Sequence, residues 1–80
     1  MGRHRLGSCN IRKGTFRVSR KLHGSDRTRV KRHYRVYVES RQSGDSYTRA
    51  VGKARRAEHS GMTKTETRRY EGRLGQIARK

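Results

Sequence analysis

Two stretches in the first half of the chain alternate apolar and polar residues. In Thr15-Phe16-Arg17-Val18-Ser19-Arg20, Phe16 and Val18 share one face while Arg17 and Ser19 take the other. In His33-Tyr34-Arg35-Val36-Tyr37-Val38-Glu39, Tyr34, Val36 and Val38 line one face, with His33, Arg35, Tyr37 and Glu39 opposite. A period of two carried by β-branched and aromatic residues predicts strands. A shorter strand is expected from Leu6 to Ile11. It turns back at Arg12-Lys13-Gly14, where glycine supplies the positive φ of a tight hairpin. Leu22-His23-Gly24-Ser25-Asp26 reads as the next loop.

The period changes after Gly44-Asp45. Asp45 or Ser46 can cap a helix over 45–60, in which Tyr47, Ala50, Val51, Ala54 and Ala57 recur at helical spacing and Arg49, Lys53 and Arg56 turn away. Gly61 sits where such a helix ends. Thr63-Lys64-Thr65-Glu66 fits a capping box that opens a second helix over 63–79. There Tyr70, Leu74 and Ile77 make one narrow apolar stripe, and Gly72 and Gly75 each cost about 1 kcal/mol of helix propensity. That stripe is expected to need a partner surface, either a second copy or another protein.

The expected fold class is α+β: a small three-stranded antiparallel sheet packed by one helix, with a second C-terminal helix. Residues 1–80 form one domain, divided into a flexible basic arm at 1–5, a β-rich part at 6–40 and the two helices. Leu6 or Ile11 with Phe16, Val18, Tyr34, Val36 and Val38 would meet the helix. Arg17, Ser19, His33, Arg35 and Tyr37 would then face solvent from the other side of the sheet.

Composition adds a constraint. Only 28% of the 80 residues are hydrophobic, and a core of this size rarely supplies more than ~3–5 kcal/mol. No apolar run approaches the ~18 residues of a membrane span, and no secretory leader is evident. Cys9 is the single cysteine, which excludes an internal disulfide and favours a reducing intracellular compartment: the cytoplasm, or the nucleoid or nucleus if DNA is bound. His4, His23, His33 and His59 show no ligand spacing with one another or with Cys9, so neither metal nor cofactor is expected.

Charge changes the picture most. Lys and Arg total 23 against 6 Asp and Glu, a net +17, and Arg outnumbers Lys 17 to 6. Such a cation excess is the electrostatic footprint of nucleic-acid binding, and Arg in particular grips phosphate and reads guanine edges bidentately. An acidic membrane surface would call for bulky apolar residues opposite the cations; with no Trp, one Phe and three Leu, the chain offers few. The candidate nucleic-acid-binding residues are Arg3, Arg5, Arg12, Lys13, Arg17, Ser19, Arg20, Arg29, Lys31, Arg32, His33, Arg35, Tyr37, Arg55 and Arg56, with DNA favoured over RNA.

Gly7-Ser8 followed by Ile11-Arg12-Lys13-Gly14-Thr15-Phe16-Arg17-Val18, a basic loop, a third strand and a helix resembles the arm-type DNA-binding domain of phage tyrosine recombinases. The resemblance spans roughly residues 1–60, and the start Met1-Gly2-Arg3-His4-Arg5 looks like the basic arm of such domains. It implies a three-stranded sheet inserted into the DNA major groove, with Arg12, Arg17, Ser19 and Arg35 at groove-facing positions. The chain departs from that family in its long loop before the third strand, the aromatic character of that strand, the helix over 63–79, and the lack of a recombinase catalytic domain.

Three other functions fit parts of the sequence. An RNA-binding subunit of a ribonucleoprotein or ribosome suits the Arg excess and thin core. A small phage-type inhibitor or regulator could dock on an acidic protein surface. A small endoribonuclease toxin could use His33, Tyr37 and Glu39 for acid–base chemistry beside Arg35, although no motif spacing demands it, and the favoured reading is non-enzymatic.

Overall fold

A computed structural model describes residues 6–79, so the arm residues Arg3 and Arg5 lie outside the described part. The chain runs β1 (Gly7–Asn10), β2 (Thr15–Val18), α1 (Gly24–Gln42), α2 (Tyr47–Glu58) and α3 (Lys64–Arg79). The hairpin follows the alternation. β1 and β2 pair antiparallel, Gly7 opposite Val18 and Asn10 opposite Thr15. Asn10 organises the turn: its carbonyl accepts from Gly14 N–H at 2.9 Å and its side-chain oxygen from Lys13 N–H at 3.0 Å. Gly14 takes φ +71°, a conformation that L side chains rarely adopt. Phe16 and Val18 turn inward while Thr15 and Arg17 are exposed.

The three-stranded sheet is not formed. Residues 33–39 belong to α1, and the sheet has two strands. Tyr34 and Val38 are two strand periods apart, but they are also four residues apart, and that spacing continues back to Val30. Val30, Tyr34 and Val38 are buried while Val36 is only half-buried on the flank, the pattern of a helical stripe. Nothing between Ser25 and Gln42 is Gly or Pro, so the segment has no breaker at which a strand could turn. The β preference of its Val and Tyr residues depends on context and yields to packing. The expected loop at Leu22–Asp26 is correspondingly short: Leu22 is buried in the core and α1 begins at Gly24.

The later helices form where expected. Ser46 caps α2, its hydroxyl accepting from Arg49 N–H at 3.3 Å. Thr63 and Glu66 make the reciprocal capping box of α3, each contact 3.1 Å. Each helix buries an i, i+4, i+8 stripe: Val30, Tyr34, Val38 on α1; Ala50, Ala54, Glu58 on α2; Tyr70, Leu74, Ala78 on α3. Small alanines let α2 lie closely on α1. The main core joins Leu6, Leu22, Val30, Tyr34, Tyr70, Leu74 and Ala78, with Phe16, Val18, Met62 and Ile77 packed against it. The Tyr70–Leu74–Ile77 stripe therefore closes on the chain's own core rather than awaiting a second copy.

Three contacts fix the hairpin on α1. A Cβ at Gly7 would meet the Arg17 carbonyl at 2.5 Å and the Tyr34 ring at 2.7 Å, so glycine is what allows β1 to lie on that tyrosine. Phe16 stacks on Tyr34 with centroids 6.3 Å apart. At the far end, Gln42 Nε2 donates to the Ile11 carbonyl at 3.0 Å. No helix among the described residues is long and apolar enough to cross a membrane.

Candidate nucleic-acid interface

The six carboxylates decide how the cations are distributed. Asp26 holds Arg73 through two contacts, Nε to Oδ2 at 3.1 Å and Nη2 to Oδ1 at 2.9 Å, which raises the arginine further above its usual range. Asp45 accepts from Lys53 at 2.7 Å and from the Ser40 hydroxyl at 2.5 Å. Glu66 is spent on the α3 cap, Glu71 lies 3.3 Å from His59, and Glu58 is buried against His33 and Tyr70. Glu39 alone stands exposed with its carboxylate in none of these pairs. Five of the six carboxylates are thus engaged in holding the fold, far fewer than the outward cations.

Some predicted interface residues turn out to be structural. Arg29 Nη1 donates to the Glu58 carbonyl at 2.7 Å and the Ser60 carbonyl at 3.0 Å, and Arg32 Nη1 reaches the Ala57 carbonyl at 3.4 Å. Both therefore satisfy the open C-terminal end of α2, where a cation also favours the helix dipole. His33 turns inward, its Nδ1 2.9 Å from Glu58 Oε1. Ser19 organises the loop after β2, accepting from Lys21 N–H through its hydroxyl and from Arg27 through its carbonyl. The expectation that His33, Arg35 and Tyr37 share a solvent-facing sheet surface is overturned along with the third strand.

What remains outward is compact in two places. The hairpin presents Arg12 and Lys13 at its tip and Ser8, Asn10, Thr15 and Arg17 on its outer face. All of these but Arg12 border a shallow groove of about 480 Å³ that also touches Cys9 and Phe16. On α1, Lys31 and Arg35 are exposed one turn apart. Arg20 follows the hairpin, and Arg55 and Arg56 are exposed at the end of α2. The helices add exposed cations outside the candidate binding set: Arg49 on α2, and Lys64, Arg68, Arg69 and Arg79 on α3. Their spacing opposite each buried stripe was the available signal.

Tyr37 does not stand alone. Its ring meets that of Tyr47 edge to face at 6.1 Å, and Tyr47 is 60% exposed, although helical spacing had placed Tyr47 in the core. Burial raises the Tyr37 hydroxyl above its usual value, outweighing the lowering pull of Arg41, so it stays protonated at neutral pH. Of the residues considered for acid–base chemistry, His33 faces Glu58, Tyr37 meets Tyr47 and Glu39 faces solvent.

The group least visible in the sequence is the polar junction of the three helices. Glu58 is fully buried and its Oε2 accepts from the Tyr70 hydroxyl at 2.5 Å. Its position four residues after Ala54, on the buried stripe of α2, was the one local sign of its burial. The His59 ring packs edge-on to Tyr70 at 5.8 Å, and Arg73 lies over the same tyrosine at 5.9 Å. No protein-family model, curated protein or solved structure matches this chain.

Proposed function

We propose that this protein binds nucleic acid through the hairpin and the exposed flank of α1, with Arg12, Lys13, Arg17, Lys31 and Arg35 as the principal contacts. The observation that carries this reading is the division of charge: five of the six carboxylates are paired elsewhere in the chain, while the hairpin surface holds cations and short hydrogen-bonding side chains without any acidic residue. Phosphate contacts would position the protein, and Ser8, Asn10 and Thr15 supply donors and acceptors beside them. Four-residue strands are about 14 Å long at ~3.4 Å per residue, and a two-stranded ribbon fits a B-DNA major groove ~12 Å wide. Duplex DNA is therefore the favoured target.

A second reading has its own support. The exposed Tyr47 ring beside Tyr37 offers a surface on which an unpaired base can stack, a contact worth ~1–3 kcal/mol per base, which suits looped RNA. Filter binding of duplex DNA, single-stranded DNA and structured RNA at two salt concentrations separates the two. For duplex, log K should fall with log salt at about −0.9 per phosphate contact. Tighter, less salt-sensitive retention of RNA that is lost in Tyr47→Ala selects the second reading. Retention of none of the three at low salt rejects both.

A further inference from the structure

In a chain whose cations outnumber its carboxylates 23 to 6, two carboxylates are expected to stand apart, each beside an arginine. Glu58 and Glu71 instead converge with His59, so that one donor atom from each residue lies within 4.8 Å of the other two. Glu58 is fully buried, and His59 and Glu71 are half-buried. His59 Nε2 and Glu71 Oε1 are already 3.3 Å apart, close to the separation of two ligands on one tetrahedral ion with bonds of ~2.0–2.2 Å. Glu58 is held in advance: Tyr70 donates to Oε2 at 2.5 Å, and His33 Nδ1 lies 2.9 Å from Oε1. The carboxylate is thus anchored through Tyr70 and faces His33 before any ion arrives. Such outer contacts are what fix the ligands of metal centres.

We propose that Glu58, His59 and Glu71 form a divalent transition-metal site, best suited to Zn²⁺, that pins the C-terminal end of α2 to α3. One imidazole nitrogen and two carboxylate oxygens, with water as a fourth ligand, are a donor set zinc accepts. Ca²⁺ takes six to eight oxygens and Mg²⁺ a near-ideal octahedron; three protein donors including an imidazole match neither. Sequence spacing hides the site because Glu71 comes from a different helix. Its role is a staple: domains of this size need support beyond their apolar core, and an ion bound only by the folded chain stabilises that chain.

The test is a zinc titration of chelator-stripped protein without nucleic acid, followed by calorimetry and by thermal unfolding in circular dichroism. One equivalent should bind. At a hundredfold above Kd the unfolding midpoint should rise by roughly 10–20 °C. His59→Gln and Glu71→Gln should each weaken zinc at least ~10-fold, while Cys9→Ser, which removes the exposed thiol as a rival ligand, should change nothing. Co²⁺ substituted into the parent should give the visible absorption of a tetrahedral site. An unmoved midpoint with no saturable zinc binding to the parent overturns the proposal, whatever the variants do. Zinc affinity unchanged in both His59→Gln and Glu71→Gln overturns it equally.

Discussion

The hairpin and the three-helix junction are both rich in polar side chains, but they turn them in opposite directions. In the hairpin, every second residue points outward, and the inner face reaches the core through Phe16 on Tyr34 and through Val18. At the junction, Glu58, His33, Tyr70 and His59 point toward one another. Removing a charge from the first surface leaves no buried group unsatisfied. Removing a partner from the second strands a buried carboxylate, which costs far more than the contact itself contributed. Function and stability are therefore carried by different polar residues, and substitutions can separate them.

The largest effect is expected at Tyr70. Tyr70→Ala opens a cavity in the core and takes a donor from Glu58, and aromatic-to-alanine changes in cores cost ~3–5 kcal/mol. Since that is about the whole stability available to a core this small, the variant should be largely unfolded by circular dichroism at 25 °C. Tyr70→Phe keeps the ring and loses only the hydroxyl, so it should fold with a stability lower by about 1.5–3 kcal/mol, the range for a hydrogen bond to a charged group. A urea midpoint for Tyr70→Phe equal to that of the parent would show that the junction does not support the fold.

The hairpin should behave in the reverse way. Arg12→Ala, Arg17→Ala and Arg35→Ala should each stay within about 0.5 kcal/mol of the parent in stability, as exposed substitutions usually do. Each should also lower the salt slope of DNA binding by about 0.9. Arg29→Ala is the informative contrast. It lies among the candidate binding residues by sequence but is bonded to the end of α2, so it should lower stability and leave the slope unchanged. Equal slope losses at Arg17, Arg29 and Arg79 would mean a diffuse polycation rather than a defined surface.

The capping residues test whether local signals act independently of the junction. Thr63→Ala removes one half of the α3 capping box and Ser46→Ala the cap of α2. Each should cost about 1 kcal/mol, within the ~0.5–2 kcal/mol known for such caps, with no change in DNA affinity. Additive losses in the double variant, read from urea melts, would mark the two helix starts as uncoupled.

These caps were legible in the sequence because their partners lie three residues apart. So was the hairpin, whose alternation and turn glycine are local. α1 was not, because Tyr34 and Val38 satisfy a period of two and a spacing of four equally well, and only Val30 and the absence of a breaker distinguish them. The junction was hidden for another reason: Glu58 meets His33 across 25 residues and Tyr70 across 12, and no periodicity reports such pairs. Arg29 and Arg32 were read as phosphate ligands for the same reason, since nothing local shows that a helix end lies beside them. Residue type identified the chemistry available, while tertiary contact decided which of it faced outward.

The smallest effect concerns acid, and it separates the hairpin from the helical part once more. Two carboxylates in the helical part titrate below their usual values: Asp45, through hydrogen bonds from Lys53 and then Ser40, and Glu66, through the backbone N–H and hydroxyl of Thr63. A carboxylate with a depressed folded pKa contributes stability that is present above its unfolded value, ~3.9 for Asp and ~4.3 for Glu, and is lost as pH falls through the folded one. Unfolding midpoints should accordingly be flat from neutral pH to about 5 and decline below about 4, modestly, because both groups face solvent and are screened by salt. Residues 7–18 contain no carboxylate. In an amide chemical-shift titration, Lys53, Thr63 and Glu66 should therefore move in that acid range while Thr15 and Arg17 stay still until global unfolding. A Glu66 midpoint at or above the ordinary glutamate value would show that the capping box does not hold in solution, and the stability assigned to the start of α3 would then have to come from the Tyr70 contacts alone.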